Sequence, residues 1–388
     1  MTKCVLGDVA ICHDNRRVPL SAAQRANRKG PYRYYGAQVV IDHIDDYLFD
    51  GEYLLIAEDG ENLRSQKQDI ANLASGKFWV NNHAHIIQTN DACDLRYLKY
   101  LLNLTDISGY VTGSAQPKLS QESMMGIRLS LPDISDQRKI SAVLSAIEDK
   151  IALNRKRIAT LEAMTKEIYD YWFVQFDFPD AHGRPYKSSG GAMVYNPDLK
   201  REIPKGWEVV KLSRMADFLF GYPFDSSRFN SNGEGRRIVR IRNVKDGYSN
   251  DFTTEEAPSE YIIRNGDLLI GMDGYFDMNI WVGGDAYLVQ RSCRVKTKDS
   301  IYQGYVRRFI APPIKQLEKT LLGATVAHLG KTHLDDIDIV VPPKGLRAFQ
   351  MLNDLDASIV QQGLEVAKLS DLRDFLLPVL MNGQVKVG

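Results

Sequence analysis

The sequence of 388 residues predicts an α+β fold in which two mixed, mainly β domains are joined by two long helices. The helices are expected to pair as an antiparallel coiled coil, so that the chain is a duplicated unit with pseudo-two-fold symmetry. Three observations support this: an internal repeat, a change from strand-like to heptad periodicity within each copy, and the return of the heptad pattern in the second copy. The predicted boundaries are 1–135 for the first domain, 136–175 for the first helix, 176–202 for a linker, 203–343 for the second domain, 344–380 for the second helix and 381–388 for a tail.

The internal repeat consists of short segments that keep their order along the chain. Residues 113–119 (GSAQPKL) and 323–329 (GATVAHL) lie 210 positions apart. The same offset relates residues 127–132 (IRLSLP) to residues 337–342 (IDIVVP). Further upstream, GEYLLIAEDG, ending at Gly60, resembles GDLLIGMDG, ending at Gly274. The sequence therefore predicts two copies of one unit of roughly 200 residues.

Each copy begins with short apolar runs that are separated by Gly, Asn and Asp. Examples are Tyr53–Ile56 and Arg237–Ile241, which are typical of strands, whereas Leu95–Leu104 predicts a helix. The period changes after Pro132, where apolar residues recur at alternating steps of three and four. These heptad positions are Ile140, Leu144, Ile147, Ile151, Ile158, Leu161, Ile168 and Trp172, and then, after Pro343, Leu352, Leu355, Ile359, Val366, Leu369 and Leu376.

Polar residues interrupt the heptad pattern at corresponding places in the two copies. Asn154 and Thr165 fill vacant positions in the first helix, and Gln362 corresponds to Asn154 in the second. We expect Asn154 and Gln362 to fix the register of the pair, as buried polar residues do in coiled coils. The alternative is that both side chains simply reach solvent at the edge of the helix pair. The outer faces are expected to expose Tyr169, Trp172 and Phe173, which predicts poor solubility without partners.

Composition and charge narrow the class of protein. The four cysteines are scattered without metal-ligand or disulfide spacing, which favours reduced thiols in the cytoplasm. No apolar run reaches the ~20 residues that span a bilayer, so no membrane association is expected. The formal net charge is zero. Since non-specific nucleic-acid affinity comes from neutralised phosphates, a nucleic-acid-binding chain would need its charge segregated onto one face or help from a partner.

Catalytic and cofactor motifs are not recognisable, which predicts a chain that is not an enzyme. Asn196–Asp198 lacks the second proline and the aromatic residue of an amino-methyltransferase loop. Gly330–Thr332 resembles the end of a P-loop, but Thr325 stands where that motif needs a glycine. His83 and His85 are separated by one residue without an evident third ligand. No cofactor and no metal are expected.

Several segments are similar to one known family, the specificity subunits of type I restriction–modification systems. Residues 203–212 (IPKGWEVVKL) resemble the family's entry into a target-recognition domain, and residues 131–140 (LPDISDQRKI) resemble its exit into a spacer helix. Residues 47–60 (YLFDGEYLLIAEDG) and 77–85 (KFWVNNHAH) resemble a familiar type of that domain. The resemblance covers nearly the whole chain. The first domain departs from it by starting at Cys4–Asp8 without a Pro-x-Gly-Trp opening, and the second exit reads PPKGLR.

The resemblance implies a sequence-specific DNA-recognition subunit without catalytic chemistry of its own. Each target-recognition domain would read one half-site of a bipartite double-stranded DNA target. A rod from Ile140 to Ile168, roughly 42 Å long, would space the domains by about one turn of duplex. Two methyltransferase (modification) subunits would dock on the helices, and restriction/translocase subunits would join them. The alternative is a coiled-coil adaptor with duplicated protein- or glycan-binding modules, which zero net charge fits slightly better.

Candidate DNA-contacting residues follow from the chemistry of base and phosphate recognition. In the first domain they are Tyr34, Tyr35, Lys77, Asn81, Asn82, His83, Ser114, Gln116 and Lys118. In the second domain they are Arg236, Arg237, Arg240, Arg242, Asn243, Thr325, His328 and Lys331. Alternative interpretations stay open: the two tyrosines could be core aromatics, Asn81 and Asn82 could cap a turn, and Arg240 and Arg242 could line a solvated strand face.

Overall fold

The computed structural model describes residues 1–321, 327–343 and 345–387. The chain divides into two compact units, unit 1 with residues 1–149 and 370–388, and unit 2 with residues 150–369. Each unit thus contains part of both long helices, which run Ile134–Tyr169 and Arg347–Met381. The predicted boundaries, 136–175 and 344–380, differ from these by a few residues at most ends. None of the described helices combines the length and apolar character needed to cross a membrane.

Unit 1 is built on a mixed six-stranded sheet. In spatial order its strands are Ala10–Cys12, Ala84–Thr89, Phe49–Ala57, Ala71–Val80, Lys29–Tyr35 and Val40–Ile44. All neighbours are antiparallel except Lys29–Tyr35 and Ala71–Val80. A separate antiparallel pair joins Thr2–Val5 to Arg128–Leu131. The described short helices are Leu6–Val9, Ala22–Ala26, Asn62–Ser65, Leu95–Leu104 and Gln121–Met125, with 3-10 turns at Asp14–Arg16 and Ser108–Tyr110.

The core of unit 1 lies on both faces of this sheet. On one face Phe49 stacks on Phe78, and Tyr53 contacts both rings edge-on. On the other, the predicted helix Leu95–Leu104 buries Tyr97 and Leu98, and its first turn is capped by Asp94, which accepts from the Tyr97 N–H at 2.8 Å. This alternation of buried residues along the strands is what period-two apolar patterning dictates.

Unit 2 repeats the mainly β character with shorter strands in several sheets. A four-stranded antiparallel sheet has the order Ala216–Phe220, Ser292–Thr297, Leu268–Gly271 and Met278–Ile280. A five-stranded sheet has the order Phe229–Asn230, Phe252–Thr253, Arg236–Val239, Ala286–Leu288 and Ile262–Ile263. Two antiparallel pairs join Met193–Asn196 to Arg201–Pro204 and Glu208–Lys211 to Asp338–Val341. The segment predicted as a linker, 176–202, therefore contains β structure.

The described helices of unit 2 besides the long ones are few. They are Leu212–Met215, Ile241–Val244, Gln303–Leu321 and Lys331–Asp335, with 3-10 turns at Ser226–Arg228, Ser259–Tyr261 and Ser300–Tyr302 and a π-helical turn at Asp170–Val174. The first long helix ends in this π turn, which places Phe173 in the main core of unit 2 together with Tyr305 and Phe349. That core lies under the four-stranded sheet and includes Leu268 and Val295.

The duplication extends to equivalent hydrogen bonds in the two units. The Leu6 N–H donates to the Ile127 carbonyl at 2.8 Å, and the Leu212 N–H donates to the Ile337 carbonyl at 2.8 Å. In each unit the bonded pair sits beside the antiparallel strand pair that closes the domain. Thr2–Val5 in unit 1 therefore occupies the place that Glu208–Lys211 occupies in unit 2, although the first domain lacks the Pro-x-Gly-Trp opening.

The long helices pair antiparallel within each unit. In unit 1, Ile140 and Leu144 share a core with Leu380 and Leu376. In unit 2, Lys150 forms an ion pair with Glu365 at 3.2 Å. Residues early in the first helix therefore meet residues late in the second, as the heptad patterns predicted.

The two polar residues of the helix pair differ in burial: Asn154 is buried and Gln362 is half-buried, so the alternative that both simply reach solvent at an edge does not hold for Asn154. Asn154 is fully buried, and neither of its amide atoms finds a hydrogen-bond partner among the described residues. The same holds for Oε1 of Gln362. The pKa of Glu365 is lowered, first by its hydrogen bond with Lys150 and second by the neighbouring Asn154 amide, although that amide does not meet strict hydrogen-bond geometry.

The predicted exposure of aromatic residues at the end of the first helix is wrong. Tyr169 and Phe173 are buried and Trp172 is partly buried, all in the core of unit 2. The reason is that the heptad pattern says only which residues avoid solvent and not which neighbour covers them. Here the covering surface is the unit's own aromatic core. The exposed apolar residues of the long helices are instead Leu153, Met164, Leu372 and Phe375.

Candidate nucleic-acid interface

The loop of residues 113–119 in unit 1 is fastened to the end of strand Phe49–Ala57. The Leu119 N–H donates to the Glu58 carbonyl at 2.9 Å, and the Gly60 N–H donates to the Pro117 carbonyl at 3.1 Å. Between these bonds, Asp59 and Lys118 form an isolated antiparallel bridge. The backbone of the loop is therefore fixed at its C-terminal side, whereas Ser114 and Gln116 are exposed.

The N-terminal side of the same loop is fixed by a glycine turn and by an arginine. Gly113 has φ +83°, and a Cβ there would lie 2.3 Å from the Gln116 carbonyl oxygen, so the turn requires glycine. Arg64 donates to the carbonyls of Gly113 and Ser114, the latter at 3.1 Å. A loop held at both sides presents its polar side chains without a large ordering cost on binding.

Unit 2 repeats this arrangement around strand Leu268–Gly271. The Leu329 N–H donates to the Met272 carbonyl at 2.7 Å, and the Gly274 N–H donates to the Ala327 carbonyl at 3.0 Å. Asp273 and His328 form the corresponding isolated antiparallel bridge. The predicted contact residue Thr325 falls in 322–326, outside the described residues. Residues 327–329 are therefore fastened in the same way as residues 117–119.

A small cluster of exposed basic side chains lies beside acidic residues in each unit. In unit 1, His83 Nδ1 lies 2.6 Å from Asp59, and Lys118 lies 3.3 Å from Glu58. In unit 2, His328 Nδ1 lies 2.6 Å and Arg291 lies 3.2 Å from Asp273.

The cations of these clusters are accessible to a large ligand. Their side chains are 50% exposed for His83, 58% for Lys118, 61% for His328 and 65% for Arg291. Exposed ion pairs of this kind contribute little to stability, which leaves the cations available to phosphate oxygens at small cost.

A buried charged network supports the unit 1 cluster from below. Arg17 bridges Asp14 at 3.1 Å and Glu58 at 2.6 Å and also donates to the Ala84 carbonyl at 2.9 Å. His85 Nε2 donates to the Leu119 carbonyl at 2.8 Å, and its Nδ1 lies 2.5 Å from Asp14. His85 thus connects the 113–119 loop to the charged network.

The pKa values in this network follow from burial and hydrogen bonding. Burial acts to raise the pKa of Asp14, but hydrogen bonds from His85 and the Ile86 N–H outweigh it and lower the pKa. Burial likewise opposes the hydrogen bond from Arg17 at Glu58, whose pKa is also lowered. Both carboxyl groups are therefore held in their charged form at neutral pH.

The same network contains a set of groups that could in principle ligate a metal. The ligand atoms of Asp14, Glu58 and His85 lie within 4.8 Å of one another. The Arg17 guanidinium already contacts both carboxylates, and both His85 nitrogens are engaged. The negative charges of Asp14 and Glu58 are thus compensated by the Arg17 side chain.

Burial removes three of the predicted contact residues from any DNA-facing role in this conformation. Tyr34 is fully buried, and its hydroxyl accepts from the Leu20 N–H at 2.9 Å. Tyr35 is buried against Phe78. Asn81 is buried, and its side chain accepts from the His83 N–H at 2.9 Å, which shapes the turn between two strands. The core and turn interpretations that the sequence left open apply to these residues.

The remaining predicted residues of unit 1 are exposed. Asn82 is exposed in the same turn as His83. Lys77 is exposed and lies 4.5 Å from the centroid of the Tyr47 ring, and its hydrogen bond with Tyr47 raises its pKa. Lys77 is on the strand that ends at this turn. No described contact joins Lys77 to the cluster of His83 and Lys118.

The basic run of unit 2 is more engaged with aromatic rings than the sequence suggested. Arg236 stacks on Tyr287 at 5.1 Å, and Arg240 stacks on Phe229 at 5.2 Å. Arg237 lies 5.1 Å from the Phe252 ring and donates to the Ser249 carbonyl. These three side chains are half-buried.

The other predicted residues of unit 2 differ in their surroundings. Arg242 is exposed but paired with Asp251 at 2.8 Å, and Asn243 accepts from the Arg240 N–H at 2.9 Å. Lys331 is exposed at the start of a short helix. No described contact brings the basic run to His328 and Lys331, so unit 2 carries two separate basic regions.

Sequence reasoning missed Arg291, which occupies the place of His83. The Glu58 N–H donates to the His83 carbonyl at 3.0 Å, and the Met272 N–H donates to the Arg291 carbonyl at 2.9 Å. The signal was present in the repeat, since the two residues lie 208 positions apart, close to the 210 of the loops. Arg291 also has φ +69°, a left-handed conformation that is uncommon for arginine.

Two β-rich modules on paired helices, each with a fastened loop beside exposed cations, form a scaffold suited to recognition at two separate places. Residues 1–163 match the family model described as "Type I restriction modification DNA specificity domain". Along 331 residues the chain is 24% identical to the MjaIX type I restriction enzyme specificity subunit of Methanocaldococcus jannaschii, covering 81% of this chain and 74% of that relative.

Other comparisons agree. The EcoBI type I specificity subunit of Escherichia coli is 28% identical over 178 residues, which cover 45% of this chain and 37% of that protein. The crystal structure of the type I restriction–modification S subunit from M. genitalium superposes with a TM-score of 0.67 at 15% identity, covering 98% of this chain and 95% of that one. The fold is thus that of an S subunit. Over most of its length the chain is thus similar to type I restriction–modification specificity subunits, and its first 163 residues match the DNA specificity domain of that family, in agreement with the family and the DNA-recognition role that the sequence predicted.

Proposed function

We propose that this chain reads a bipartite double-stranded DNA target, with one half-site for each unit's recognition module. The observation that carries the proposal is the repetition of the fastened loop and its exposed cation cluster. Asp59 with His83 and Lys118 in unit 1 matches Asp273 with Arg291 and His328 in unit 2. Cations that flank an exposed polar loop suit a ligand with phosphates around an informative edge.

The base-reading and phosphate-holding residues are assigned by exposure. Ser114, Gln116 and Asn82 carry the neutral hydrogen-bonding groups that read base edges, and His83, Lys118, His328, Arg291 and Lys331 are positioned to hold phosphates. The net charge of zero then requires partner subunits to supply part of the affinity.

The partners in this proposal are two methyltransferase (modification) subunits docked on the long helices and the restriction/translocase subunits of the full complex. The first long helix has 36 residues, about 54 Å, which is long enough to set the spacing between half-sites. The chemistry is assigned to the partners, and this chain is proposed to be non-catalytic. Recognition of chromosomal DNA would require the chain to be in the cytoplasm, in agreement with the location expected from its cysteines.

The test is a base-resolution methylome of an unmethylated host that expresses this chain with and without its methyltransferase partner. We expect a new split adenine-methylation motif only when both proteins are present. Substituting Lys118 with Ala should lower modification at the first half-site, and substituting Arg291 with Ala should do so at the second.

The contradicting result is specific. If the methyltransferase is expressed and modifies DNA with another specificity subunit, yet no motif depends on this chain, the DNA-reading proposal fails. That result would favour the adaptor with duplicated protein- or glycan-binding modules.

A further inference from the structure

In each unit a short tip begins at the aspartate that forms the isolated bridge with the neighbouring loop. We define the tips as residues 59–61 (Asp-Gly-Glu) in unit 1 and 273–275 (Asp-Gly-Tyr) in unit 2. Both glycines have positive φ, +111° at Gly60 and +70° at Gly274, and both donate their N–H to the adjacent loop. The tips are therefore equivalent in backbone, and they differ in the residue that follows the glycine.

The unit 2 tip is held from below by a buried residue and a buried carboxylate. Phe276, directly after the tip, is buried in the main core, and its N–H donates to Glu318 at 2.7 Å. Glu318 is itself buried and paired with Lys315 at 2.8 Å. The Gly271 N–H donates to the Asp277 carbonyl at 2.8 Å, which closes the turn.

The unit 1 tip is held in a comparable way. Leu63 is fully buried, and its N–H donates to the Gly60 carbonyl at 3.1 Å. Arg64, one residue further on, fastens the neighbouring 113–119 loop. Both tips are thus short, fixed segments beside the cation clusters.

The residue after the glycine is free to contact a ligand in both tips. Tyr275 is 72% exposed, although a tyrosine ring usually packs against apolar surface. Glu61 is exposed and does not cap the helix that starts beside it. Within the described part of the chain, neither side chain forms a hydrogen bond, an ion pair or a ring contact.

We propose that Glu61 and Tyr275 each read one base of their half-site. This inference rests on the proposed function and adds the residues and base chemistry that determine specificity. A carboxylate is repelled by phosphates, so the exposed Glu61, two residues after Asp59, is suited to accept from the N4 amino group of a cytosine in the major groove. Tyr275 offers an aromatic surface instead, which suits contact with the C5 methyl group of a thymine.

The different chemistry of equivalent tips also accounts for how one scaffold reads two unlike half-sites. The cations that hold phosphates are kept in both units, in the form of His83 and Lys118 or of Arg291 and His328. The residue after the tip glycine changes from a carboxylate acceptor to an aromatic ring. Binding and base choice are thereby separated on neighbouring side chains.

The experiment uses the full chain with its methyltransferase subunits on a duplex library in which every half-site position is randomised. Glu61→Gln is expected to reduce the preference for cytosine at one position of the first half-site by about 10-fold. Tyr275→Ala is expected to reduce the preference for thymine at one position of the second half-site by about 10-fold. Matched controls are Glu202→Gln and Tyr195→Ala, exposed residues of the Met193–Pro204 segment, which should leave both motifs unchanged.

A second measurement keeps the protein unaltered. Deoxyuridine, which lacks the C5 methyl group, replaces the sensitive thymine, and a pyrimidinone without the amino group replaces the cytosine. Each base change should lower modification by the wild-type protein and have little further effect on the matching variant.

The proposal is overturned if both variants keep the wild-type preference at every position, or if they lower modification of all sequences equally. Additive losses from variant and altered base would also overturn it. Failure of the proposed function is distinguishable, because wild-type protein would then give no split motif at all.

Discussion

Units 1 and 2 present equivalent loops above chemically different supports. In unit 1 the positions below the tip are Glu58 and His85, which belong to the charged network of Asp14 and Arg17. In unit 2 the equivalent positions are Met272 and Cys293, both buried in the apolar core. The strand pairing shows the equivalence, since Ile56 pairs with His85 and Ile270 pairs with Cys293. The position of the loop is thus set by backbone hydrogen bonds, which tolerate either a charged or an apolar support.

The difference teaches that the two modules respond differently to charge and pH. At Met272 and Cys293 the support of unit 2 carries no charge, since burial raises the pKa of Cys293 to about 12 and keeps it a neutral thiol, and the group that titrates in acid below the unit 2 tip is Glu318. A charged support depends on each of its members, because removing one leaves another buried group unpaired.

The largest effect is expected from exchanging the support chemistry. Met272→Glu places a carboxylate in the apolar core of unit 2, where no equivalent of Arg17 has been described, and should destabilise that unit by on the order of 5 kcal/mol. The reverse change, Glu58→Met, should cost about 2 kcal/mol, because Arg17 keeps Asp14 and the Ala84 carbonyl. Urea unfolding of the full chain, with hydrogen exchange resolved by segment, measures both. Equal costs for the two exchanges would contradict the comparison.

Removing the histidine is expected to have the next largest effect. His85→Leu leaves the Leu119 carbonyl without its donor and Asp14 without its imidazole, and should destabilise unit 1 by about 3 kcal/mol. Faster hydrogen exchange should appear in strand Ala84–Thr89 and in the 113–119 loop. The matched control is Cys293→Ala in unit 2, with an expected cost of about 1 kcal/mol. A loop that keeps its protection in His85→Leu would show that His85 does not support it.

Acidification should separate the two units without any substitution. The pKa values of Asp14 and Glu58 are lowered in the folded chain, so their stabilisation is present above their usual range near pH 4 and is lost as pH falls through the lowered values. Protection against hydrogen exchange, corrected for the intrinsic pH dependence of exchange, should therefore be lost first in Ala84–Thr89 and later in Ser292–Thr297. Asp14→Asn should lessen the acid sensitivity of unit 1. Simultaneous loss of protection in both strands would contradict this prediction.

The smallest effect concerns two buried polar residues of unit 2. Asn154 has no described hydrogen-bond partner, whereas Thr165 donates its hydroxyl to the Leu161 carbonyl at 2.5 Å. Asn154→Leu should therefore stabilise the helix pair by about 1 kcal/mol while allowing other registers. Thr165→Val should leave the register unchanged.

The register is measured as the distance between spin labels at positions 156 and 358, which line the same groove, by electron paramagnetic resonance. Broadening of the distance distribution in Asn154→Leu alone supports the register role. A single unaltered distance, with assembly intact, would contradict it.

The large features of this fold could be predicted because they depend on periodicity. The heptads gave both long helices and their antiparallel pairing, and the repeat gave two β-rich modules. Periodicity cannot identify which surface covers an apolar residue, and for that reason Tyr169 and Phe173 were misplaced. Nor does it separate a core tyrosine from an exposed one, which is why Tyr34, a predicted DNA contact, proved to be fully buried.

The candidate site was only partly accessible from the sequence for a related reason. The loop around Gln116 stood out because its flanking glycine and leucine recur at one offset. The offset is 214 at Asp59 and Asp273 but 208 at His83 and Arg291, since insertions differ between the copies. Contacts between segments whose repeat offsets differ cannot be predicted from the repeat alone, and only the strand pairing in the structure reveals them.

Unit 1 draws its core from both ends of the described chain, and this sets an order of folding during synthesis. Leu144 and Ile140 are covered by Leu380 and Met381, which a ribosome makes more than two hundred residues later. Unit 2 lies wholly within residues 150–369 and has all of its chain before residue 370 emerges. On the ribosome, all of unit 2 is therefore synthesised before the last segment of unit 1, and the core of unit 1 receives Leu380 and Met381 only when translation has passed residue 381.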